Sequence, residues 1–254
     1  MKRVHITGCP RSGTTLMTEL MRIGFQFDDF CQHEQSIFTQ PEGHPDLFLS
    51  KKPSDIKRIR PLLKADLNLF TIYMVRDPRS VITSMHKNFP GKYFCNFRIW
   101  NDCDKVARTL LDHPRFLQIR YEDLVQDPDR IQDQIQAKFP FLIKMHSFTE
   151  YRKMAKPSKD AHMALGGVRE ISSEKISTWK KFLPRVMYEI SANPEMIKIL
   201  ISKGYEENSK WTSILEGIHP QKGQCRYPDK QSFFRKLESR IRHWIQIRLY
   251  ILRL

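Results

Sequence analysis

Residues 3–16 read RVHITGCPRSGTTL, and they divide into three parts. Arg3–Thr7 alternates as a short strand does. Gly8–Gly13 is a turn-rich loop. From Thr14 to Ile23 the apolar residues Leu16, Met17, Leu20, Met21 and Ile23 follow the spacing of a helix. A loop that runs from a strand into a helix leaves backbone N–H groups unpaired and pointing outward, where the helix dipole adds partial positive charge. Such a place holds a phosphate without any special side chain. Gly13 lets the backbone approach the anion, and Arg11, Ser12, Thr14 and Thr15 add donors. An ordinary strand–helix connection needs only the glycines; here a cation, three hydroxyls and a helix start coincide. The nucleoside-triphosphate loop GxxxxGK[ST] has the glycine spacing of Gly8 and Gly13, but Thr14 stands where its lysine belongs. That lysine reaches the β- and γ-phosphates, so its loss argues against a kinase or ATPase.

The alternation continues outward from this unit. Leu47–Leu49 reads as a strand and Asp55–Leu63 as a short basic helix. LFTIYMV at 69–75 is a continuous apolar run, the pattern of a strand buried on both faces. Asp77 then offers an N-cap with Pro78 at the first helical position, which predicts a helix to about Asn88. A helix is predicted over Phe97–Leu111 and a strand over Arg115–Arg120; Asp127 and Pro128 open a helix to about Lys138. Residues 150–170 read as a polar loop, Ser173–Phe182 and Val186–Lys203 as helices, and 205–230 as loop-rich. Strands alternating with helices predict an α/β fold with a mostly parallel sheet, and 254 residues suit a single domain.

The formal net charge of +15 directs the chain toward polyanions: nucleic acid, phosphate-rich cofactors, acidic glycans or anionic lipid. Five cysteines, without a CxxC pair, read as reduced thiols of a cytoplasmic protein. The histidines show no HExxH or HxxxH spacing, so no metal site is expected. Met1–Thr7 is too short and polar to be a secretory signal, and no long uncharged apolar stretch would span a membrane.

Gly8–Leu16 resembles the 5′-phosphosulfate-binding loop of the sulfotransferases that use 3′-phosphoadenylyl sulfate (PAPS). Cytosolic members usually have Lys at the position of Arg11; Golgi protein-tyrosine and many carbohydrate sulfotransferases have Arg, as here. Val75–Met85 (VRDPRSVITSM) is similar to the family's 3′-phosphate motif, which implies that Arg76 and Ser84 hold that phosphate. A bidentate guanidinium suits a terminal phosphate dianion. Arg120–Leu124 (RYEDL) resembles a segment whose Tyr, here Tyr121, lies near the adenine or 3′-phosphate. Lys51-Lys52-Pro53 resembles the K-x-P segment, whose Lys sits by the transferred sulfuryl group. Val168–Pro184 resembles the cofactor-covering loop of the tyrosine sulfotransferases and makes Arg169 a second 3′-phosphate ligand; Trp179 there reads as core. The resemblance covers about residues 3–184 and implies a P-loop-like three-layer fold, with a parallel sheet flanked by helices. Residues 1–215 then form the catalytic domain, and 216–254 a loop and a C-terminal helix.

Sulfuryl transfer is an in-line displacement in which the acceptor oxygen loses a proton and the leaving phosphate is neutralised. Arg11 and Lys51 are the candidates for stabilising the transferring group. The His that serves as base in cytosolic members is missing after Lys51. Tyrosine and some glycan sulfotransferases use a Glu after the first helix instead, which points to Glu34, with His33 beside it as the alternative and His86 and His44 further off. The expected acceptor is a carbohydrate or glycolipid hydroxyl. The competing readings are a P-loop small-molecule kinase and a non-enzymatic polyanion-binding module. Gln231–Leu254 carries six Lys or Arg against Glu238 alone, and Phe234, Leu237, Ile241, Ile245, Leu249 and Leu252 recur at helical spacing. Such a basic amphipathic helix either packs on the catalytic domain with its arginines in water, or lies on the inner membrane face with Trp244 and Tyr250 at the interface.

Overall fold

Apolar runs of the lengths just described bury their side chains by pairing side by side. The computed structural model describes residues 1–86, 89–168, 170–228 and 232–254. Its strands are β1 (Lys2–Gly8), β2 (Asp29–Phe30), β3 (Leu47–Lys51), β4 (Leu69–Val75), β5 (Lys92–Tyr93), β6 (Phe116–Arg120) and β7 (Gln224–Cys225). The chain forms two compact units: residues 1–75, 103–172 and 231–254 make one, residues 76–102 and 173–230 the other.

The first unit holds a five-stranded sheet in the order β2-β3-β1-β4-β6, with every pair parallel. The two central strands are buried nearly throughout; Val4, Ile6, Leu69, Ile72 and Met74 are inaccessible to solvent. Burying each such side chain contributes roughly 1.5–3 kcal/mol, which explains why Leu69–Val75 reads as a continuous apolar run; β1 is buried as well but carries Arg3, His5 and Thr7 at alternate positions. The chain leaves β3 and crosses β1 to enter β4, so the strand order reverses at β1. Ligands of open α/β sheets bind beyond the carboxyl ends of the strands at such a reversal. Ile6 aligns with Lys51 and Gly8 with Met74, so the loop after β1 and the end of β3 share one edge of the sheet. The helix Thr14–Gly24 follows that loop and turns Met17, Leu20, Met21 and Gly24 inward.

The second unit begins at Arg76. Its first helix starts as the sequence indicates, since the Asp77 carboxylate accepts from Arg79 N at 2.7 Å and Pro78 follows the cap. It ends at Ile82 rather than near Asn88; Lys87 and Asn88 lie outside the described residues. Thr83 Oγ1 donates back to the Arg79 carbonyl, and the Ser84 carbonyl accepts from Phe94 N at 2.8 Å. The chain turns into β5, which pairs with β7. Arg79 is ion-paired with Asp77 and Glu206, and its guanidinium stacks on Trp179 at 4.0 Å and Trp211 at 4.6 Å. Trp179 is buried, as its reading as core requires.

Three further expectations about helices are corrected. Residues 150–170, read as loop, contain the short helices Tyr151–Met154 and Lys159–Leu165. Ser173–Phe182 forms two 3-10 turns, not one helix. Val186–Lys203 is two helices, Leu183–Ala192 and Glu195–Ser202, because Pro194 has no N–H for a continuing helix.

Candidate active site

The loop after β1 is built by close approach. Ser12 N donates to the Cys9 carbonyl at 3.1 Å, which closes a tight turn. A Cβ on Gly8 would stand 2.5 Å from Ser12 Oγ and 2.7 Å from the Met74 carbonyl, so this position takes no side chain. Gly13 has φ +96°, and a Cβ there would meet the Tyr121 ring at 2.5 Å. The Tyr121 ring thus lies against the loop at Gly13. Arg11 has φ +75°, a conformation rare outside glycine that clusters at functional sites.

The helix Thr14–Gly24 has no side-chain cap and no acidic residue in its first turn, so an anion meets its N-terminus without competition. Ser12 is fully buried, and its Oγ has no hydrogen-bond partner among the described residues. A buried hydroxyl without a partner costs about 1–3 kcal/mol, a penalty that a phosphate or sulfate oxygen would relieve. The donors, the left-handed turn and the uncapped helix fit a phosphosulfate.

Lys51 ends β3 and is 1% exposed at its side chain. Its Nζ donates to Thr15 Oγ1 and to Glu34 Oε1, each at 3.3 Å. Burial lowers the Lys51 pKa, and Glu34 opposes that shift. Glu34 is placed by the sheet edge: Cys31 N donates to the Leu49 carbonyl and Gln35 N to the Lys51 carbonyl. The Glu34 side chain is 44% exposed and open to an incoming molecule. His33 is half-buried; burial and then the Lys51 charge hold its pKa down. The geometry therefore joins Thr15, Lys51 and Glu34, three residues from widely separated stretches of sequence.

In the second unit Arg76 Nη2 donates to the Lys175 carbonyl at 2.9 Å, and Ser80 Oγ to the Ile176 carbonyl at 3.0 Å. Ser84 lies two residues past the end of its helix, not within it as the spacing suggests. Arg169 falls outside the described residues. His86 stacks on Phe94, with ring centroids 4.9 Å apart. Two residues were not singled out from the sequence. Trp100 Nε1 donates to the Arg76 carbonyl at 2.9 Å and fixes the backbone at that motif. Glu19 is buried in the first helix and receives Arg22 at 3.0 Å on both oxygens; burial raises its pKa, with Arg22 and Lys51 opposing. A tryptophan or a glutamate at helical spacing carries no signal of such a position. Among the described residues no group of three or more His, Cys, Asp or Glu is arranged to hold a metal.

A parallel sheet with a glycine-bearing loop between its central strand and a helix defines a P-loop-like α/β protein, here without the P-loop lysine. The sulfotransferase domain family matches residues 1–191, and the chain belongs to that family, whose sulfuryl donor is PAPS. It is an enzyme that transfers sulfur-containing groups. The fold is similar to the sulfotransferase domain from the curacin biosynthetic pathway, with TM-score 0.54, 17% identity, and coverage of 81% of this chain and 98% of that one. It is also similar to mouse sulfotransferase SULT7A1 complexed with PAP, with TM-score 0.50, 14% identity, and coverage of 85% and 89%. No curated protein matches the sequence. Family membership decides against the kinase and against the non-enzymatic module.

Proposed function

We propose that the chain transfers a sulfuryl group from PAPS to a hydroxyl of a carbohydrate or glycolipid, in a cytoplasmic setting. The Thr15–Lys51–Glu34 cluster beside the anion loop carries this reading. Arg11, Ser12, Gly13, Thr14 and Thr15 hold the 5′-phosphosulfate; Arg76, Ser84 and Arg169 hold the 3′-phosphate; Tyr121 lines the nucleotide side at Gly13. When bound, PAPS supplies the sulfuryl group and the phosphate that leaves. Lys51 and Arg11 donate to oxygens that gain charge as the bond to sulfur breaks. A buried ammonium is worth more there than one in water, since it needs no reorganisation. Glu34 Oε1 accepts the proton of the acceptor hydroxyl.

Three features support the acceptor class: Arg at position 11, a glutamate in place of the histidine base, and the strongly basic chain. The cytoplasmic setting is supported by thiols kept unreactive, since burial raises the pKa of Cys31 and Cys225. The test is a transfer assay with radiolabelled PAPS over a panel of glycans, glycolipids, phenols and peptides. Label on a sugar hydroxyl that vanishes in Glu34→Gln supports the reading. Label confined to phenols or tyrosyl peptides contradicts it.

A further inference from the structure

The helix Phe233–Ile251 is turned the unexpected way round. A helix that packs on its own domain puts its apolar stripe inward. Here Phe234, Leu237, Ile241, Trp244, Ile245 and Leu249 are all exposed, from 44% at Leu237 to 80% at Phe234. The side that meets the rest of the first unit carries the Tyr250 ring, edge-on against Phe38, and two polar contacts. Tyr250 is buried, and its hydroxyl donates to Asp66. Arg58 Nη2 donates to His243 Nε2 at 2.6 Å. Ile241 and Tyr250 are nine residues apart, about two and a half turns, so they point in opposite directions. Two polar tethers therefore hold the helix with its apolar stripe outward.

The charges complement one kind of surface. Arg240 and Arg242 are exposed on the two edges of the apolar stripe, Arg242 in an exposed ion pair with Glu238 at 2.5 Å. Arg248 lies within the stripe with its guanidinium 5.4 Å from the Trp244 ring, the posture of an arginine whose stem crosses an apolar layer while its head stays at the surface. The neighbouring helix Ile56–Ala65 presents Lys57, Arg60 and Lys64 to solvent. No helix among the described residues is long and apolar enough to cross a membrane. An apolar stripe with a tryptophan and cationic edges suits the interface of an anionic bilayer, with the stripe at the acyl boundary and the arginines among lipid phosphates.

We infer that Phe233–Ile251 is a peripheral membrane-docking helix for anionic lipid bilayers, held ready by Tyr250–Asp66 and Arg58–His243. The inference does not depend on the acceptor, and its test needs no PAPS. The full chain is mixed with vesicles of phosphatidylcholine alone, or of phosphatidylcholine with about one-third phosphatidylglycerol, and floated on a density gradient. Thermal melting confirms that each variant is folded. Wild type is expected to float with the anionic vesicles at low salt and to be released as salt rises. The pair Ile241→Asp and Ile245→Asp, and separately Arg240→Glu with Arg242→Glu, are each expected to lower partitioning about tenfold or more. Three outcomes overturn the inference. These are that wild type fails to float; that the Ile241/Ile245 variant floats as wild type does, which would leave only a charge contact; or that sedimentation shows a wild-type dimer that the same variant splits, making the stripe a contact between copies.

Discussion

The loop after β1 and the segment Arg76–Ser84, proposed above as the places for the 5′-phosphosulfate and the 3′-phosphate, are built by different means. In the loop, main chain and glycines do the work. Gly8 and Gly13 admit no Cβ, Arg11 is held at φ +75°, and the helix behind has no cap. In the Arg76–Ser84 segment the proposed contacts come from individual side chains, and side chains there have other engagements: Arg76 on the Lys175 carbonyl and Ser80 on the Ile176 carbonyl. The first site is preorganised, so a substitution there damages chemistry and fold together. The second is modular, so a substitution there removes a contact and little else.

The largest effect is expected at Lys51, which joins the loop to Glu34. Lys51→Ala should lower turnover by about 10²–10³ in steady-state assays, while affinity for the nucleotide changes far less. Turnover close to wild type would detach Lys51 from the loop.

Next comes Glu34→Gln, with a loss of about a hundredfold in turnover if Glu34 is the base. It also has a signature in pH. Burial lowers the Lys51 pKa and Glu34 opposes it, so the neutral glutamine leaves burial less opposed. Lys51 then loses its proton at lower pH, and the alkaline limb of the residual rate should move down. An unmoved limb would separate the two residues. If His33 is the base instead, Glu34→Gln keeps near-normal turnover and His33→Ala does not.

A smaller effect falls on the loop backbone. Gly13→Ala should cost about 2 kcal/mol or more of stability in denaturant unfolding, from the left-handed φ together with contact against the Tyr121 ring. The smallest is Arg76→Ala, about 1.5 kcal/mol or tenfold. It should appear in the affinity for PAPS and not for adenosine 5′-phosphosulfate, which lacks the 3′-phosphate. An equal loss for both nucleotides would erase the contrast between the two regions.

How much of this was legible in the sequence follows the same contrast. The strand at 69–75 and the helix from Thr14 are fixed by local burial pattern, and both were read to within a residue or so. The turn of the loop was legible because its strand end, its glycines and its helix start lie in eight consecutive residues. The end of the helix after Asp77 was not, since it is set by Phe94 bonding to Ser84, a pairing that no local pattern announces. Lys51 and Glu34 could each be named through resemblance, but their ion pair depends on the sheet order. The C-terminal helix was found by its period, yet its orientation was not, because Asp66 and Arg58, which hold it, come from a distant segment. Tyr250, placed at an interface by its amphipathic character, is buried.

The most direct test of the central claim, that the loop after β1 cradles the phosphosulfate end of PAPS without a metal, is calorimetric titration of the wild-type chain with PAPS in excess EDTA. Micromolar binding is expected, with Ser12→Ala and Gly13→Ala each weakening it. No binding under these conditions, or binding of ATP only when Mg²⁺ is present, would contradict the claim.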